Sequence, residues 1–225
     1  MAPCDAVVAS CEAVSRRFTV RGDDVLALAD LDLTVGAGTL TVIAGPSGSG
    51  KSTLLSILGC LDRPTTGSVR LLGEEVHELG RRQRRVLRRT TVASLLPQPA
   101  DNLLFGLSGR ANIRLAARHR GASSDRVDQV IDSLAIGDFI DRLADTMSGG
   151  EQQRVALACV LAGGCPIVLA DEPTGALDRI SADDVVGALR AAADAGATVV
   201  AAAHDPAVIE AATTVVWLDH GRRAS

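Results

Sequence analysis

The chain has 225 residues, 47% hydrophobic and only 2% aromatic, which suits one or two domains with a core of Ala, Val, Leu and Ile. Its net charge of −4 lacks the basic excess of a general nucleic-acid binder, so no nucleic-acid partner is expected. No basic stretch followed by a long apolar run opens the chain, so no signal peptide is expected. The strongly apolar uncharged stretch Val155–Ala170 is interrupted by Gly163, Gly164 and Pro166 and falls short of the roughly 20 residues of a spanning helix. A soluble protein is expected, with any membrane role coming through a partner. The cysteines, Cys4, Cys11, Cys60, Cys159 and Cys165, are odd in number and form no C-x-x-C pair. They read as small buried hydrophobes in a reducing compartment, not as a disulfide frame or zinc site.

Short apolar strands alternate with helical stretches, which predicts an α/β fold around a mostly parallel sheet. Val7–Val14 and Val25–Val35 form an opening β-rich portion. Thr39–Ala44 is a buried strand that feeds a glycine-rich loop, and Lys51–Leu58 is a helix. Ser68–Leu72 and Thr91–Leu96 are further strands. The pattern then turns helical, at Gly109–Arg120, Asp125–Ala135 and Glu151–Leu161. Strand signals return at Pro166–Ala170, Thr198–Ala203 and Thr214–Leu218. No internal repeat or low-complexity linker appears, so the helical middle reads as an insertion into one α/β core, 1–98 and 165–225 around 99–164. Three strands end in polar chemistry: at the glycine loop, at Asp171-Glu172 and at His204. In an open parallel sheet a ligand lies beyond the strands' carboxyl ends, so adjacent parallel strands would aim all three at one site.

Of 23 basic residues, Lys51 is the only lysine. It lies in Gly45-Pro46-Ser47-Gly48-Ser49-Gly50-Lys51-Ser52, which fits the phosphate-loop pattern G-x-x-x-x-G-K-[ST]. A compact ammonium fits beneath a tight loop, where a planar guanidinium does not. The glycines let backbone N–H groups converge on the nucleotide's phosphates, and the following helix presents its positive end. Lys51 is expected to neutralise the β- and γ-phosphates, and Ser52 to ligate Mg²⁺. Asp171 and Glu172 end a buried apolar strand, where acids are costly without partners. Asp171 is placed to hold Mg²⁺ and Glu172 to act as general base on the attacking water. In Met147–Arg154 (MSGGEQQR), Ser148 caps the next helix, and Gly149 and Gly150 bare its N–H groups, making a second anion site.

With that order of motifs, namely the phosphate loop, SGGEQQR, ADEPTGALD (Ala170–Asp178) and His204, the chain resembles the nucleotide-binding subunits of ATP-binding cassette transporters from about Val7 to Arg222. The resemblance implies a P-loop NTPase core with an N-terminal antiparallel β portion and an inserted helical subdomain carrying the signature. It implies an ATPase using ATP and Mg²⁺, with Thr53 adding to the phosphate loop. Two subunits pair head to tail, so that each ATP lies between one Lys51 loop and the other subunit's Ser148–Gly150. Ser148 and Gly150 contact the γ-phosphate across the interface, Asp178 communicates between sites, and His204 hydrogen-bonds the γ-phosphate. Gln98 senses Mg²⁺ and the attacking water and links the site to a transmembrane permease. Phe18 stands where the family commonly has a tyrosine that stacks on adenine. The expected place is cytoplasmic, on the inner face of the cell membrane. The stretch Gly45–Val69 with DEPTGALD most resembles the subgroup serving lipoprotein release and macrolide or antimicrobial-peptide export.

Some residues depart from the family pattern. Pro97 replaces the aromatic common before Gln98, and Pro99 follows, which stiffens that hinge. Cys159 stands where arginine is common, with no functional consequence drawn. Arg81, Arg82, Arg84, Arg85, Arg88 and Arg89 admit two readings, a solvated helix with acidic neighbours or a surface for anionic lipid or nucleic acid. Two other functions remain open: a soluble regulatory ATPase without transport, and a nucleotide-binding subunit with little turnover.

Overall fold

The computed structural model describes residues 6–20, 22–175 and 177–224, so Cys4 lies outside the described residues. The chain opens with a long antiparallel hairpin, β1 (Val7–Val20) and β2 (Asp23–Gly36). Both strands run past the ends expected at Val14 and Val25, because the charged tip pairs with itself. Arg17 Nη1 lies 3.2 Å from Asp24 Oδ2, and the Thr19 hydroxyl donates to Asp24 Oδ1 at 3.1 Å. β3 (Leu40–Ala44) leads through the glycine loop into α1 (Lys51–Leu58). β4 (Thr66–Leu71) and β5 (Glu74–Glu75) complete the hairpin's sheet, in the order β2-β1-β4-β5.

The arginine-rich stretch forms α2 (Arg81–Thr90), followed by β6 (Val92–Leu95). The helix agrees with one of its two readings, but the acidic neighbours do not: among the described residues, none of its six arginines is in an ion pair. Then come α3 (Gly109–Arg120), α4 (Ser124–Ser133) and α5 (Gly149–Ala162). β7 (Ile167–Asp171), α6 (Arg179–Asp194), β8 (Thr198–Ala203), α7 (Pro206–Glu210), β9 (Thr214–Asp219) and β10 (Arg222–Arg223) close the chain. α6 has no counterpart in the sequence reading. Its buried stripe, Ala182, Val185, Ala188, Leu189 and Ala192, is mostly alanine, which blurs the contrast that marks an amphipathic helix.

The second sheet runs β10-β9-β3-β8-β7-β6 and is parallel except at β10. Side chains alternate between its faces, as the two-residue period demands. Val42 and Ala44 of β3, with Val168 and Ala170 of β7, join the core shared with α3 to α6. Ile43, Leu169 and Val200 face the opposite way, into the core shared with α1 and the antiparallel sheet. The buried cysteines fill these interiors. Cys11, Cys60, Cys159 and Cys165 are free thiols, and burial pushes those of Cys11 and Cys159 up to about 12. Among the described residues, no helix is long and apolar enough to cross a membrane.

Candidate functional site

β8 lies between β3 and β7, with Ala44 opposite Ala203 and Asp171 opposite Ala202. The carboxyl ends leading to Gly45, Asp171-Glu172 and His204 are therefore side by side. Beyond them opens a hollow of about 730 Å³, walled by Pro46, Ser47, Gly48, Gly50, Lys51, Ser52, Thr53, Gln98, Glu172 and His204. Val25, Leu26 and Ala27 of β2 form another part of the wall, so the antiparallel sheet reaches the site. Gly50 turns the loop into α1 at φ 104°, and a Cβ there would strike the Ala27 carbonyl. Gly45, Ser49 and Asp171 are not part of the wall.

Lys51 is only 6% exposed. Its ammonium donates to the carbonyls of Gly45 at 2.8 Å and Pro46 at 3.0 Å, and lies 3.7 Å from Glu172 Oε1. A buried cation needs such partners. The other Glu172 oxygen, Oε2, is 2.8 Å from His204 Nδ1. From the wall, the Ser52 hydroxyl donates to Asp171 Oδ1 at 3.1 Å. Burial, with the neighbouring Glu172 charge, holds the Asp171 carboxyl above its usual range against the opposing pull of the Ser52 hydrogen bond and Lys51. Glu172 sits at φ 45°, a left-handed backbone that non-glycine residues rarely adopt. Its N–H donates to Ala202 O at 2.9 Å, and its carbonyl accepts from Gly175 N at 3.1 Å.

Ser148, Gly149, Gly150 and Asp178 do not line this hollow. Ser148 caps α5 reciprocally: its Oγ accepts from Glu151 N at 3.3 Å, and its N–H donates to Glu151 Oε2 at 2.7 Å. Ser148 and Gly149 are exposed, which leaves the positive end of α5 facing solvent. Gly150 is buried against Ser181 with no room for a Cβ. Ser181 in turn donates to Asp178 through its N–H at 3.1 Å and its hydroxyl at 2.8 Å. These bonds hold the Asp178 carboxyl below its ordinary range, the backbone bond contributing most.

Three positioning contacts went unread in the sequence. Gln153, 1% exposed, donates from Nε2 to Pro173 O at 3.0 Å, tying the signature helix to the turn after Glu172. A lone amide on an otherwise apolar buried helix face is the signal it left. Asn102 holds the Gln98 hinge: its amide donates to Leu96 O at 2.9 Å and Gln98 O at 2.8 Å, and its Oδ1 accepts from Leu96 N at 2.9 Å. Gln98 itself is exposed, in extended backbone at φ −102°, ψ 134°. Phe18 is absent from the wall but pairs across the hairpin with Val25, which lines it. One face of its ring carries Arg16, whose guanidinium carbon is 4.2 Å from the ring centroid. That guanidinium also forks onto Asp62, just after α1, at 2.8 and 2.9 Å. The two-residue spacing of Arg16 and Phe18 on one strand face was the available signal.

A phosphate loop after a central parallel strand, with a helical segment whose SGG-capped helix start faces solvent, defines a phosphate-loop ATPase of the cassette class. The chain belongs to the ABC transporter family, whose sequence model matches residues 28–175. It is 40% identical over 227 residues to the macrolide export ATP-binding/permease protein MacB 1/2 of Paracoccus denitrificans, covering 99% of this chain and 34% of that protein. It is 41% identical over 212 residues to MacB 1 of Aeromonas hydrophila, covering 92% of this chain and 32% of that protein. The chain thus spans about a third of the length of these relatives. Among solved structures, it resembles the dimeric post-hydrolysis state of the ATP-binding cassette MJ0796 bound to ADP and Pi. The TM-score is 0.85 at 31% identity, covering 96% of this chain and 97% of that one. CbiO1 of Clostridium perfringens, part of the transporter complex CbiONQ, shares the fold at TM-score 0.87 and 24% identity, over 98% of this chain and 88% of that one.

Proposed function

We propose that the chain is the ATP-driven part of an export complex in the cell envelope, working on the cytoplasmic face of the membrane through a transmembrane permease. Two copies close head to tail, each ATP lying between one copy's Lys51 loop and the other's Ser148–Gly150. One observation carries this reading. The two anion sites of a single chain do not meet, and the signature end of α5 faces solvent, so each chain offers two half-sites. In support, relatives' names join ATP binding to a permease, and a similar cassette is described as dimeric.

In the closed pair, Lys51 leaves its loop carbonyls for the β- and γ-phosphates, and Phe18 carries the adenine. Glu172, oriented by His204, takes a proton from water as that water attacks the γ-phosphorus. The bond to the ADP oxygen breaks, and His204 steadies the γ-phosphate. Gln98 positions the water, and Asp178 relays between the sites. The residues fit Mg²⁺. Ser52 and Asp171 offer hard oxygen donors 3.1 Å apart, and Mg²⁺ characteristically takes few protein ligands and completes its shell with phosphates and water. When bound, Mg²⁺ offsets the charge on the transferring phosphates. Segment 99–164 acts as a helical subdomain moving the signature against the core of 1–98 and 165–225.

The test is affinity capture of the Glu172→Gln chain from its own membranes with Mg-ATP, read by mass spectrometry and by its mass in solution. An ATP-dependent dimer that brings a multi-span permease is expected. A dimer without any membrane protein replaces this reading with the soluble regulatory ATPase, and a chain that stays monomeric on ATP defeats both.

A further inference from the structure

The outer face of α2 is unexplained by anything above. Six of its ten residues are arginines and none is acidic. Leu87 points into the core and Arg84 and Arg88 are half-buried, while Arg81, Arg82, Arg85, Val86 and Arg89 are exposed. Spacings of three and four residues place these last five on one outward arc.

Elsewhere some surface arginines have an acidic partner, although exposed Arg114, Arg118 and Arg179, each on another helix, have none among the described residues. Arg17 meets Asp24, Arg110 meets Asp141, and Arg190 meets Asp194. On α2, by contrast, Arg81, Arg82, Arg85 and Arg89 form no ion pair among the described residues. The arrangement also opposes helix stability. Like charges four residues apart repel, as in Arg81 with Arg85 and Arg85 with Arg89. Arg81 and Arg82 further sit at the helix's positive end, where acids are favoured. Of these four, only Arg89, in the last turn, complements the helix's negative end. The crowding of four unpaired charges on one arc otherwise costs stability, and an external anion gives it a role.

Beside the arc is a hollow of about 410 Å³ lined by Arg85, Arg88, Arg89, His119 and Arg120, with no acidic side chain. Arg120 is anchored there, its Nη1 donating to the carbonyls of Arg88 and Arg89, each at 3.1 Å. The basic surface thus continues onto the end of α3. The rest of this net-acidic chain is repelled by an anionic sheet, which orients this one face toward it. Val86, 58% exposed among the arginines, suits the boundary between headgroups and acyl chains. α2 has no aromatic side chain for stacking on bases, which disfavours nucleic acid.

We propose that this face docks onto an anionic phospholipid bilayer. The test is co-sedimentation of the 225-residue chain, without nucleotide or permease, on phosphatidylcholine vesicles with and without phosphatidylglycerol. The outcome is therefore independent of the ATPase reading. Binding to the mixed vesicles only, weakened by salt, is expected. At about fivefold per arginine, R81Q/R82Q/R85Q/R89Q should lose at least about 100-fold in partition with no fall in melting temperature. A charge-matched variant, R17Q/R70Q/R142Q/R190Q, should partition as the parent does. Equal binding to neutral vesicles, or an undiminished R81Q/R82Q/R85Q/R89Q variant, overturns the proposal. So does a short DNA duplex that binds this face more tightly than the vesicles do.

Discussion

Replacing Arg16 with alanine should weaken ATP binding although Arg16 does not line the nucleotide hollow. Its guanidinium covers one face of Phe18, the residue proposed to carry adenine, at 4.2 Å, and it forks onto Asp62 beyond α1. The stacked contact is worth about 0.5–1 kcal/mol at a partly exposed site. Arg16 and Asp62 are 24% and 28% exposed, so solvent screening limits the fork to about 1 kcal/mol. Together these set a ceiling of about 2 kcal/mol, near 30-fold. The hairpin ladder still holds the strand, so about half that free energy should reach the nucleotide, roughly fivefold in Kd. Phe18→Ala removes the platform itself and should cost about tenfold, at the lower end for base stacking on an aromatic ring. Titration calorimetry in the Glu172→Gln background measures binding without turnover. If Arg16 acts through the ring, the double variant binds like Phe18→Ala alone. An unchanged Kd for Arg16→Ala, or a double variant equal to the product of the singles, refutes the brace.

Glu172→Gln should retain ATP affinity within about twofold and lose at least 100-fold in turnover, the scale of a missing general base, and near-normal turnover removes Glu172 from that role. Asp171→Asn should abolish Mg²⁺-dependent turnover yet raise the melting temperature at pH 7 by about 2 °C without nucleotide. The sign follows from its raised pKa. Asp171 lends stability below the ordinary carboxylate range and loses it as pH rises through the raised value, so the gain from asparagine should vanish in acid. A lower melting temperature at pH 7 contradicts that reading. Asn102→Ala frees Leu96 and Gln98 from three hydrogen bonds and should lower kcat about tenfold while leaving KM for ATP unchanged, because the bonds position the hinge and not the nucleotide. An equal change in both constants places Asn102 in folding instead.

What could be read early was local. Phosphate binding is written in eight consecutive residues, and the apolar runs before Asp171 and His204 are short and plainly strand-like. Their convergence needed only the parallel order that β8 provides by lying between β3 and β7. What stayed hidden depends on contact between distant segments. Arg16 reaches Asp62 across 46 positions, and Gln153 reaches Pro173 across 20. Nothing in the composition of either stretch announces its partner. α6 escaped notice because its buried stripe is mostly alanine, and the hairpin ran long because opposite charges at its tip substitute for an apolar face.

The left-handed backbone at Glu172 sets stability and turnover in opposition at a single position. Holding a residue with a Cβ at φ 45° costs about 1–2 kcal/mol, which glycine does not incur and asparagine incurs less. Selecting variants for heat resistance alone should therefore enrich glycine and asparagine at 172, enzymes that melt later and no longer turn over. Any effort to harden this cassette must screen for activity at every round, because this gain in robustness lies on the residue proposed as its general base.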